Sequence, residues 1–204
     1  MSSYTPRKKP TQARSRATFE AIIEAGAQLL VEDGFHNMTT NALAERAGVS
    51  IGSLYQYFPN KESIVASIIE RFADRQFEIL AGGLQEVITA PLAEVVHHLV
   101  AAMFEAKQAE PELNRVLVEQ LPPIGQLDVM RDWTERACHL LEMALEARRD
   151  EVEVEDLEMA AFMMVTSCHG IMHSTLLDRP KLLDSEVLRE HTARLILRYL
   201  GCQE

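Results

Sequence analysis

The stretch TTNALAERAGVSIGSLYQYFPNKES, residues 39–63, decides the fold. Two short helical patterns meet in it at Ala47-Gly48-Val49. Gly48 suits the left-handed backbone that so abrupt a reversal requires. Ser50 offers a hydroxyl to the first backbone N–H groups of the second helix, and Thr39 does the same for the first. Ala44 is small enough for the two helices to cross closely. Leu43, Ala47, Val49, Leu54 and Phe58 are spaced to share one core. The pattern predicts a helix over 39–47, a tight turn, and a helix over 50–58 that Pro59 stops, because proline lacks an N–H and restricts the residue before it.

The residues left facing outward on the second of these helices are Ser50, Ile51, Gly52, Ser53, Tyr55, Gln56 and Tyr57. A solvated helix face normally carries Lys and Glu, yet this one has no ionised side chain and two tyrosines. It reads as a surface that presses against something flat and polar, with Gly52 allowing close backbone approach. A helix of this size fits the DNA major groove, about 12 Å wide. Lys61 follows the expected cap Asn60 at the positive end of the next helix, where a cation is disfavoured by about 0.3–1 kcal/mol. A docked anion relieves that conflict, and a DNA phosphate is the expected one. Thr40 and Asn41, at the start of the preceding helix, are placed to donate to phosphate as well.

The segment T-T-x-x-L-A-x-x-A-G-V-S-x-G-S-L-Y-x-Y-F-x-N-K-E closely resembles the signature of TetR-family transcriptional regulators. The likeness runs without gaps over about residues 14–65; beyond them it is architectural, down to an Arg198-Tyr199-Leu200 ending. The resemblance implies an all-helical homodimer whose recognition helix, residues 50–57, enters the major groove. It implies that Thr40, Asn41, Ser50, Ile51, Gly52, Ser53, Tyr55, Gln56, Tyr57 and Lys61 face DNA. Tyr55, Tyr57 and Lys61 then meet phosphates, while Ile51, Ser53 and Gln56 read bases. It further implies a palindromic operator, a dimer interface made by the last two long helices (about 154–177 and 185–200), and a pocket in the middle helices for an unidentified small-molecule effector.

Outside the motif, helical periodicity prevails and no sustained period-two alternation occurs. The expected fold class is all-α, with nine helices in two parts. A first helix over 11–33 carries Phe19, Ile22, Ile23, Leu29 and Leu30 as its stripe and stops at Gly34. A fourth, capped by Asn60, reaches residue 80 and weakens at Gly82-Gly83. Further helices are expected over 91–108, from Pro111 to the Pro122-Pro123 stop, and over 125–149, 154–177 and 185–200. The parts are a basic arm (1–12), a helix-turn-helix domain (13–60) and a ligand-binding and dimerisation body (61–204).

Charge agrees with that division. The chain of 204 residues has a net charge of −11, but residues 1–61 hold seven Lys/Arg against five Asp/Glu and the rest hold 13 against 26. An acidic body is repelled by phosphate, which leaves the basic end as the DNA-facing surface. No apolar run approaches the ~20 residues that cross a bilayer, so no membrane partner is expected. The odd, scattered cysteines Cys138, Cys168 and Cys202 give neither a disulfide framework nor a zinc site, and a reducing cytoplasm is the expected location.

Sharper readings of the body have plain counterparts. His169 and His173 lie one helical turn apart and could share a metal, or simply pack; no metal cofactor is expected. His97 and His98 point about 100° apart and do not share a ligand. The stretch around Met163 suits either an adaptable pocket or a dimer seam. Met103, Phe104, Met130, Trp133, Met163 and His169 are the candidate pocket residues, with core packing as the alternative. The acidic run 150–156 reads as a solvated turn. No phosphate loop or nucleophile elbow is present, so an enzyme is not expected. The competing class is a small-molecule or metal-binding module whose helix-turn-helix is only structural.

Overall fold

A computed structural model describes residues 5–7, 12–119 and 126–202. Within them are nine α-helices and two short 3-10 turns, with no strand. The helices are α1 (Ala13–Asn37), α2 (Thr40–Arg46), α3 (Ile51–Tyr57), α4 (Lys61–Glu86), α5 (Leu92–Ala109), α6 (Pro111–Glu119), α7 (Gln126–Glu146), α8 (Leu157–Asp178) and α9 (Glu186–Leu200). The expected stop at Pro122-Pro123, Gly125 and most of the basic arm lie outside the described residues.

The chain divides into two compact units, Met1–Ala73 with Glu112–Val129, and Asp74–Pro111 with Met130–Glu204. The first is organised around Ile22, Leu30, Leu43, Leu54, Phe58 and Ile64, all with no exposed surface. Leu113, Val116 and Leu117 of α6 belong to the same core. The short helices therefore do not hold their shape alone. They are packed on α1, on the first half of α4 and on α6. At Gly26 of α1 an added Cβ meets the Ile64 side chain at 2.9 Å and that of Ile68 at 3.0 Å, so a side chain there forces this packing against α4 to shift.

Two elements depart from expectation. Helix α4 continues through Gly82-Gly83 to Glu86 instead of weakening at residue 80. Glycine costs roughly 1 kcal/mol in a helix; Leu80 and Leu84 are both buried and hold the helix through that weak point. The acidic run 150–156 is not merely a solvated turn. It contains a 3-10 turn (Arg149–Glu151), a buried Val152, and a Glu151 carboxylate that accepts from the Leu92 N–H at 3.0 Å. Pro91 offers no side-chain cap for α5, and Glu151 satisfies that orphan donor from elsewhere in the chain.

Candidate nucleic-acid interface

The interface is built from the two caps and the turn between them. The Thr39 hydroxyl accepts from the Ala42 N–H at 3.2 Å, and the Ser50 hydroxyl accepts from the Ser53 N–H at 3.1 Å. Between them Gly48 sits at φ 67°, and the Val49 N–H donates to the Ala44 carbonyl at 2.9 Å. Leu54 and Phe58 are fully buried and anchor α3 by one face. Arg46, at the end of α2, donates to both carboxylate oxygens of Glu32 at 2.9 and 2.6 Å, which ties α2 to α1 and holds the Glu32 carboxyl below the usual range.

On the opposite face Ile51, Gly52, Tyr55 and Gln56 are exposed, as is Asn41 on α2. Ser53, Tyr57 and Thr40 are half-buried. The Thr40 hydroxyl and the Tyr55 hydroxyl lie 3.2 Å apart, so the start of α2 and the middle of α3 form one polar surface. Tyr57 packs edge-on against Phe19 with ring centroids 6.0 Å apart, which fixes its ring and leaves part of it at the surface. The presented face is thus uncharged, rigid and rich in hydroxyl and amide groups.

Lys61 is placed differently from the other expected DNA-facing residues. Its ammonium donates to the carbonyls of Phe35 (2.8 Å), Met38 (3.2 Å) and His36 (3.4 Å), and lies 4.5 Å from the centroid of the Phe35 ring. Gly34, at φ 74°, turns the end of α1 so that these carbonyls converge on one point. The conflict between a cation and the α4 dipole is met here by carbonyl oxygens of the chain itself. Asn60 caps the same helix through the Ser63 N–H at 2.8 Å.

Residues the sequence reading did not single out complete the surface. The Arg7 N–H donates to the Tyr57 carbonyl at 2.7 Å, and its guanidinium donates to the Tyr55 carbonyl at 3.2 Å. These are carbonyls of the last turn of α3, left without helical partners. Arg7 is therefore tied to the end of the candidate recognition helix. The only sequence signal for this was the excess of Lys and Arg before residue 17.

In the second unit, a cavity of about 30 Å³ is lined by apolar side chains from α4, α5, α7, α8 and α9, among them Val96, Met103, Trp133, Met164 and Cys168. An adjoining cavity of about 20 Å³ shares Val96, Leu99, Leu141 and Met164 with it and ends at Arg148. Of the candidate pocket residues, Met103 and Trp133 line the first cavity. His169 stands beside it, its ring 6.0 Å from that of Trp133. Phe104 is buried in the core, Met130 lies a turn before Trp133, and Met163 is exposed while its neighbour Met164 faces inward. Burial, with the charge of Lys107 second, pushes His169 down to about 4. Burial pushes the Cys168 thiol up to about 12, so this cysteine is an inert lining group. His169 and His173 have ring centroids 6.0 Å apart, and among the described residues no third ligand joins them. No helix among those residues is long and apolar enough to cross a membrane.

Comparison with known proteins places this architecture. The family model for bacterial regulatory proteins of the tetR family matches residues 22–68, and that for the tetracyclin repressor-like C-terminal domain matches residues 91–200. The chain is 28% identical over 130 residues to the fatty acid metabolism regulator protein of Bacillus subtilis, covering 57% of this chain and 66% of that one. It is 30% identical over 110 residues to the nucleoid occlusion factor SlmA of Actinobacillus pleuropneumoniae, covering 54% and 52%. The matched stretch thus spans between about half and two thirds of the length of these curated relatives. The crystal structure of a putative TetR-family regulator from Mesorhizobium loti superposes with a TM-score of 0.74 at 17% identity, over 92% of this chain and 98% of that one. With its head and its body each matched, the chain belongs to the TetR family of bacterial regulators.

Proposed function

We propose that the chain is a homodimeric transcriptional repressor that binds a palindromic operator through α2 and α3 and is released from it by a small molecule bound among the helices of the second unit. The observation that carries this reading is the outward face of α3: uncharged, fixed by its cap and a fully buried opposite side, and flanked by Arg7. Ile51, Ser53 and Gln56 take the base-reading role, while Thr40, Asn41, Tyr55 and Tyr57 meet phosphates and set the register. Gly52 lets the helix backbone approach the groove, and Ser50 caps the helix that enters it.

Dimerisation is supported by the outer sides of α8 and α9. Met159, Phe162 and Met163 are exposed on α8, and Val187, Leu195 and Tyr199 on α9. Helix α8 also buries Ala160, Met164, Val165 and Met172 on its other side. A helix with apolar side chains on its outer side as well as its inner one calls for cover on both, and a second copy of the chain supplies the missing cover. Two heads on one face of the duplex then meet half-sites about 34–36 Å apart, or a multiple of that.

The test is selection of bound fragments from the genomic DNA of the source organism by the purified chain, followed by a mobility-shift titration on the selected sequence. The reading expects an inverted repeat and a steep loss of affinity with salt, through counterion release. Recovery of fragments without a shared sequence contradicts it. A metal-binding module would instead hold stoichiometric zinc and leave every fragment unshifted.

A further inference from the structure

Three helices carry a polar group on or next to their cavity-facing stripes. On α5, Val96, Val100 and Met103 line the first cavity, and Lys107 continues the same stripe at the next helical step. On α7, Leu141 and Trp133 line it, two turns apart. On α8, Val165 lines it and His169 follows one turn later. The Trp133 ring is 6.0 Å from that of His169, and the Lys107 charge acts on His169 as well. Trp133 is 5% exposed, and its indole N–H is buried without a hydrogen-bond partner among the described residues. An unmatched buried donor costs about 1–3 kcal/mol, which marks it as a position where a ligand group gains most.

We infer that Trp133, Lys107 and His169 form the head-group station of the effector site, and that the effector is a monocarboxylate with an unbranched alkyl tail lying along the apolar cavities. The chemistry of the station selects the head. Indole N–H and ammonium are donors only, so the group they hold must accept, and the lysine charge makes an anion the best match. The lining selects the tail. Between the station and Arg148 it is aliphatic apart from thioethers and the weakly bonding Cys168 thiol, so a polar body would lose its hydration uncompensated. Cavities this small must widen to take a tail, and Met103 and Met164 in their lining are the side chains best suited to yield. A tail that spreads α5 and α8 performs the work a release mechanism needs. This inference rests on the proposed effector-controlled repressor and names the chemical class of its effector.

Trp133 is the single tryptophan of the chain, so its emission reports on the station directly. The experiment titrates the full chain with decanoate, with 1-decanol and with propionate, and repeats it with the K107M variant. The expected result is a saturable change with decanoate, about tenfold weaker binding of decanol, the ~1.4 kcal/mol of one charge-assisted hydrogen bond, and no saturation with propionate. In K107M, decanoate should fall to the level of decanol. Equal binding of decanoate and decanol by the unmodified chain overturns the inference even if the variant fails to fold. So does decanoate affinity unchanged in folded K107M. A mobility shift on the same sample separates the two levels. DNA binding without any decanoate response removes the head-group station and leaves the repressor standing, whereas a decanoate response without DNA binding removes the repressor.

Discussion

Lys61 shows how a cation at a helix start can be offset from within the chain. A cation at the start of α4 needs an anion or dipoles to offset it, and the sequence pointed to a phosphate. The structure supplies three carbonyls from residues 35–38, a stretch about 25 positions away that the Gly34 bend brings back. No local pattern announces such a contact. Lys61→Ala should lower the stability of the chain by about 1.5–3 kcal/mol, the range for hydrogen bonds to a charged group, seen as a lower urea midpoint without any DNA present. An unchanged midpoint would mean that the lysine serves the nucleic acid alone. Gly48, by contrast, was legible: its φ of 67° is what the short turn demanded. Gly48→Val should cost about 1–2 kcal/mol or more through backbone strain, again visible in the urea midpoint. His169 adds a pH signature. Its folded pKa of about 4 lies below its ordinary 6.5, so the unfolded chain takes up a proton first as the pH falls. The stability that neutral His169 contributes is present above pH 6.5 and is lost as pH falls through about 4. The difference in stability between the unmodified chain and His169→Phe should therefore shrink between pH 7 and pH 4 in thermal melts; a difference independent of pH would show that the imidazole is not held neutral.

At the scale of elements, helix existence was legible and some ends were not. Caps marked several starts in the sequence: Thr39, Ser50 and Asn60 each accept from an N–H in the first turn, whereas α8 starts at Leu157 behind the cap Asp156, three residues later than the expected 154. The end of α4 was misjudged because the burial of Leu80 and Leu84 outweighs the weakness of two glycines. The cap of α5 was invisible because its acceptor, Glu151, comes from 59 positions away. The methionine-rich stretch of α8 left pocket and seam open in the sequence. Packing divides it, with Met164 inward and Met159, Phe162 and Met163 outward. Placing a charge on the outward side should separate the proposed dimer. Phe162→Glu is expected to sediment as a monomer at concentrations where the unmodified chain sediments as a dimer, with its helical circular dichroism retained. A dimer that persists in the variant would move the interface away from α8.

For the whole molecule, the charge division and the motif gave the functional end of the chain, while the pairing of α6 with the head core did not show in the sequence. Leu113, Val116 and Leu117 pack with the residues that hold α2 and α3, and α6 follows α5, a helix that lines the cavity, after a single residue. The central claim is that the uncharged face of α3 reads bases in the major groove. Competition binding of the selected operator against single-base variants, by fluorescence anisotropy with the unmodified chain and with Gln56→Ala, tests it most directly. Gln56→Ala is expected to bind still, but to lose about 1–3 kcal/mol of discrimination at one base pair in each half-site. Unaltered discrimination at every position, for Gln56→Ala and likewise for Ile51→Ala and Ser53→Ala, would contradict it.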